Sequence, residues 1–159
     1  MVNIVIEVSK YLLILLIAAY TYWNFSYFRF RDPWQQGRVC VRQNVAMFLL
    51  HFVAYAVLFL KSEDERVILF YLAQVVFLAV YLGLYKVFYP LRSRLLVNNM
   101  CILLCIGFVI LTRLDFDKAI RQFVIVAISA LITWIIPFIL ERVWQLANIP
   151  WVYGFAGLA

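Results

Sequence analysis

Six stretches of this chain carry no charge at all: residues 11–28, 43–60, 67–85, 95–112, 122–140 and 143–159. Each is close to the ~20 residues that an α-helix needs to cross ~30 Å of hydrocarbon. Backbone groups in lipid must be satisfied internally, so each run is either a helix or part of a closed barrel. Barrel strands alternate apolar and polar residues over ~10 positions. These runs do not alternate, so the expected fold class is all-α: a polytopic transmembrane helical bundle with five complete spans and a truncated sixth.

Composition removes the soluble alternative. The 159 residues are 67% hydrophobic and 14% charged, with a mean hydropathy of +0.96, against roughly 25% charged in soluble domains. A compact sphere of this size cannot hide that much apolar surface from water. The net charge of +6 lies between the runs rather than in one patch. In membrane proteins that arrangement sets topology, and it implies no nucleic-acid partner. The first run has Glu7 before Lys10 and ends in Tyr22-Trp23-Asn24-Phe25 instead of a small-residue cleavage site, so it reads as a retained span and not a signal peptide.

In chain order, span one covers about Asn3 to Trp23, with Tyr20, Tyr22 and Trp23 at the level where amphipathic rings prefer the headgroups. The segment Asn24 to Gln43 reads as the longest polar loop. It sets Arg29, Arg31, Arg38 and Arg42 among aromatic residues against one acid, Asp32. Two readings stand for it: an interfacial segment on anionic headgroups, and a plain topology-setting loop. Span two, Asn44 to Leu60, holds His51, the chain's one histidine. An ionisable residue inside a span is a functional candidate by default, but a neutral imidazole bonded to a neighbouring helix is the plainer reading. Lys61 to Arg66 forms a short acidic turn. Span three, Val67 to about Tyr85, has Gln74 as a polar interior residue, expected to be a helix–helix contact. Spans four and five flank a compact charged turn, Arg113 to Lys118. The segment after Arg142 breaks at Asn148-Ile149-Pro150, and a sixth span starts at Trp151. Nine residues remain to Ala159, too few to cross, so a longer parent chain is expected.

Motifs for chemistry are missing. The chain has no Gly-rich phosphate loop, HExxH, CxxC or Ser-His-Asp set, and no catalytic residue, metal site or cofactor is implied. Cys101 and Cys105 share a helix face at i,i+4 and read as small packing residues. Cys40 is either a lipidation site or, more plainly, a free thiol. The best site candidate is the turn carrying Arg113, Asp115, Asp117, Lys118 and Arg121, whose cations suit a phosphate. The plain reading is a solvated turn with local ion pairs.

The stretch Leu95 to Gln122, on which the rest is expected to hang, carries a family resemblance. Asn99-Met100, the run Leu103 to Thr112 with Gly107 inside it, the Arg113-Leu114-Asp115 turn and Ala119-Ile120-Arg121-Gln122 together resemble the start of the FtsW/RodA/SpoVE (SEDS) family. The segment Trp151 to Leu158 resembles that family's next helix. The likeness covers about Leu91 to Ala159 and its motifs are short and largely apolar. It implies residues 1–90 as a three-span N-terminal extension and 91–159 as the start of the family's transmembrane core. It further implies a bacterial cell-membrane parent that polymerises lipid II for peptidoglycan in division, elongation or sporulation, partnered by a class B penicillin-binding protein. The family's catalytic acid lies in a large outer loop far downstream, so no residue here receives that role. Arg113, Arg121 and Gln122 are the substrate-side candidates. A non-catalytic scaffold, accessory subunit or transporter piece is the competing class.

Alternating the spans from the arginine-rich first segment places eight Lys/Arg on the cytoplasmic side and six outside. The N-terminus is therefore expected outside, and span four runs from inside to outside. A tag at Met1 should be reached by an impermeant reagent in intact cells. Labelling only after permeabilisation would reverse the assignment.

Overall fold

Helix is what long apolar runs must form once water is removed, because only there are the backbone groups satisfied within the segment, and the described residues are helical. The computed structural model describes residues 2–89 and 93–142. Among them are five helices and no strand: α1 (Val2–Arg29), α2 (Pro33–Ser62), α3 (Glu65–Phe88), α4 (Arg94–Leu114) and α5 (Phe116–Arg142). Helices α1 to α4 are each long and apolar enough to cross a membrane. The sixth span expected within 143–159 lies outside the described residues. Two compact units form, Met1–Arg121 and Gln122–Ala159.

The expected loop Asn24–Gln43 is corrected by the structure. α1 continues to Arg29 and α2 starts at Pro33, so only residues 30–32 break the helix. Pro disfavours helical geometry in the residue before it and is tolerated at the first helical position. Asp32 is accordingly extended (φ −79°, ψ 122°) and its carboxylate accepts from the Trp34 N–H at 3.1 Å. Gln36 Nε2 donates to the Phe30 carbonyl at 2.8 Å, satisfying the backbone where α1 ends. The polar residues do not prevent helix here because a helix bonds its own backbone and leaves Arg38 and Arg42 exposed on its surface. At 30 residues, α2 is about 45 Å long, about 15 Å more than the hydrocarbon is thick.

The next break is equally tight. Glu63 takes the left-handed conformation (φ 52°) and its N–H donates to the Phe59 carbonyl at 2.8 Å. Asp64 then caps α3 by accepting from the Arg66 N–H at 2.9 Å. Asp115 alone separates α4 from α5. Its N–H donates to the Leu111 carbonyl, and its carboxylate accepts from the Lys118 N–H at 3.0 Å.

Within the first unit α2 is the hub, packing against α1, α3 and α4. The stretch expected to organise the chain, Leu95–Gln122, instead supplies one of α2's partners. α2 and α4 run parallel: Asn98 meets Cys40 and Gln43, while Tyr55 meets Thr112, a nearly constant offset along both helices. Met47, Leu50 and Leu78 interlock with Cys101 and Cys105 at the centre. Both of these cysteines are completely buried and unbridged, as packing residues should be. Small side chains there let helices approach closely, which is what drives association in lipid.

The distribution of polarity is inverted relative to a water-soluble domain. Leu15, Leu69 and Leu103 are 65%, 68% and 69% exposed, whereas Gln43, His51 and Gln74 are fully buried. Asn98 Nδ2 donates to the Cys40 carbonyl at 3.0 Å and to Gln43 Oε1 at 3.1 Å, joining α4 to α2. Interhelical side-chain hydrogen bonds in bilayers contribute about 0.6 kcal/mol each and up to ~1.7. Asn98→Ala removes two of them and is expected to cost about 1–2 kcal/mol in a micelle unfolding titration. The same truncation at exposed Leu103 should cost far less. Equal effects at the two positions would refute the polar clamp.

Candidate functional site

Polar side chains inside the first unit form two separate clusters. The first joins three helices near the start of α2. Tyr20 Oη donates to Asn99 Oδ1 at 3.0 Å, and Asn99 Nδ2 donates to Asn24 Oδ1 at 3.1 Å. Gln43 Nε2 also points at Asn24 Oδ1, at 3.5 Å, and Gln43 Oε1 receives Asn98. Asn99 and Gln43 each donate and accept, Asn24 accepts from both and Asn98 donates to Gln43, so the cluster holds α1, α2 and α4 in one register.

The second cluster surrounds His51. Its Nε2 lies 2.9 Å from Gln74 Oε1. An amide oxygen only accepts, so the imidazole carries its proton on Nε2. Gln74 is therefore the helix–helix contact expected of it, and it is also the partner that the sequence did not reveal for His51. The His51 ring packs edge-on to Tyr55 at 4.8 Å and lies 5.2 Å from the Tyr71 ring. Thr112 Oγ1 donates to the Phe108 carbonyl at 2.7 Å, so Tyr55 Oη must be the donor in its 2.8 Å bond to Thr112. His51 Nδ1 and Gln74 Nε2 are buried with no protein partner. The pair ties α2 to α3, and the plainer reading of His51 is the one its surroundings favour.

Beside this cluster, where α2 and α4 end, opens a cleft of about 330 Å³. Leu13, Ala54, Leu58 and Val109 form apolar walls, and Thr112 reaches it from the hydrogen-bonded pair below. Lys61 and Arg113, both exposed, complete the lining from the last turns of α2 and α4. A volume of this size is at the small end of ligand sites. Hydrocarbon walls with two cations and no lining carboxylate suit an amphiphile with an anionic head.

Of the three candidate residues, Arg113 is in this lining. Arg121 is exposed on α5 and is not part of it, and Gln122 begins the second unit. Lys61 was missed because nothing in its local sequence marks it. It joins Arg113 only because α2 and α4 are parallel and in register. Cys40, expected in a loop, is a buried free thiol on α2. Among the described residues no group of His, Cys, Asp or Glu is arranged to hold a metal.

Local pairs form in the Arg113–Lys118 turn and in the Lys61–Arg66 turn. Lys118 Nζ lies 3.1 Å from Asp115, and Arg66 lies 2.8 Å from Asp64, with its guanidinium 5.6 Å from the Phe116 ring centre. No family model, curated protein or solved structure matches the chain.

Two of the capping carboxyls, Asp64 and Asp115, titrate below their usual range. Asp64 is lowered first by the Arg66 side chain, and Asp115 first by the Lys118 backbone N–H. For a carboxyl with a depressed folded value, the stabilisation is complete above the unfolded pKa of about 4 and is lost as pH falls through the folded value. Thermal midpoints in detergent should thus be level for these groups above about pH 5 and decline only below pH ~4. Asp64→Asn and Asp115→Asn together should flatten part of that decline. An unchanged acid limb in the double variant would rule out the caps as its source.

Proposed function

We propose that the chain is the membrane-embedded N-terminal part of a SEDS-type peptidoglycan glycosyltransferase in a bacterial cell membrane. On this reading it crosses the bilayer five times and enters a sixth span, and the catalytic acid belongs to a loop further along the parent chain. The single observation that supports it is the Leu95–Gln122 stretch. An apolar 21-residue helix there ends in Arg113-Leu114, a one-residue break follows at Asp115, and a second helix begins at once with the Ala119-to-Gln122 motif on it. The cleft at Arg113 adds a chemical reason. Lipid II joins a long hydrocarbon chain to a pyrophosphate, and apolar walls beside Lys61 and Arg113 suit the region where the two meet.

The test is polymerisation of lipid II by the full-length product of the reading frame, reconstituted with a class B penicillin-binding protein. Glycan strands are the expected product. A charge-assisted hydrogen bond is worth about 1.5–3 kcal/mol, so Arg113→Gln should raise KM about tenfold or more with a smaller effect on kcat. A reconstituted, folded protein that makes no polymer with its partner would overturn the assignment.

A further inference from the structure

The opposite end of the first unit, where α1 ends and α2 and α4 begin, carries a second recess that the proposed activity does not use. Two adjoining crevices of about 450 and 230 Å³ share Pro33, Gly37 and Arg94. Arg38 and Arg42, one helical turn apart on α2, line the larger one together with Arg94 from the first turn of α4. No carboxylate lines either crevice. Among the described residues none of these three arginines forms an ion pair. The nearest acid in sequence, Asp32, is engaged as the α2 cap.

Three further observations make this a shaped recess and not a diffuse basic surface. The Arg38 guanidinium stacks over the Trp34 ring at 4.0 Å, which orients its N–H edge. Gly37 has no side chain, and a Cβ there would already touch the Arg94 guanidinium at 3.5 Å, so a larger residue would fill the space. The N-termini of α2 and α4 both lie at this end, because those helices are parallel, and the positive ends of their dipoles face it. The structure therefore brings Arg94 to a pair of arginines that lie more than fifty residues earlier in the chain.

We propose that the Arg38–Arg42–Arg94 recess binds a phosphate group presented at the membrane interface. Guanidinium forks match phosphate oxygens, and an exposed Trp such as Trp34 is a side chain that favours the headgroup level of a bilayer. The phosphate comes either from an anionic phospholipid or from a soluble phosphate compound, and the chemistry of recognition is the same.

The test uses the purified full chain in a neutral detergent, with thermal midpoint and native mass spectrometry as readouts. Short-chain phosphatidylglycerol, short-chain phosphatidylcholine and inorganic phosphate are titrated separately. Retention of phosphatidylglycerol over phosphatidylcholine, with a raised midpoint, is expected if the source is lipid. A midpoint shift with inorganic phosphate alone assigns the site to a soluble phosphate. Arg38→Gln with Arg94→Gln should weaken binding at least tenfold, and more salt should weaken it further. Gly37→Leu keeps the charge but fills the recess, and should weaken binding too. Arg29→Gln removes a charge at the same end but outside the recess and should leave binding unchanged. Equal losses from Arg29→Gln and the double variant, or no response to either phosphate source, would overturn the proposal.

Discussion

Everything in the first unit depends on polar side chains finding one another away from water. Apolar packing alone would not choose a register, because lipid tails are as apolar as the leucines they touch. An amide in hydrocarbon has no such freedom, because an unpaired polar group there costs several kcal/mol. Asn98 meets that constraint only with α4 placed so that it reaches both Gln43 and the Cys40 carbonyl. The Asn24, Asn99 and Tyr20 bonds extend the same lock to α1, and His51 with Gln74 extends it to α3. Cys101, Cys105 and Ala46 then give the close approach that the lock requires.

The parallel pairing of α2 with α4 gives the two ends different chemistry. At one end it sets Lys61 beside Arg113 over an apolar cleft. At the other it sets Arg94 beside Arg38 and Arg42 in a recess without acids. Neither pairing is between sequence neighbours. Both follow from a 30-residue hub helix that carries cations at its two ends.

Much of the helix inventory was legible, because charge is excluded from hydrocarbon whatever the tertiary structure. The breaks at Lys61–Arg66 and Arg113–Lys118 were visible for the same reason, and the Lys118–Asp115 pair is the plain reading of the second turn. Gln74 was legible as a contact since a lone amide in an apolar run must be bonded. The segment Asn24–Gln43 misled. Its arginines and turn residues resemble a loop, but a polar helix outside the hydrocarbon has the same composition, and only Asp32-Pro33 marks the true break. Of the candidate site, Arg113 was legible as a cation at a helix end, whereas Lys61 and Arg94 were not.

What the sequence determined by itself is the solvent and the segments: apolar runs of this length are helices with lipid as their surroundings, cut where charges and Pro33 fall. What only the tertiary structure decided is which face of each helix turns inward. The runs are apolar almost all round, so periodicity carries little information about rotation, and a few scattered amides carry the rest. Which of them pair across helices, and therefore which cations share a cleft, depends on shape and register that no single run contains.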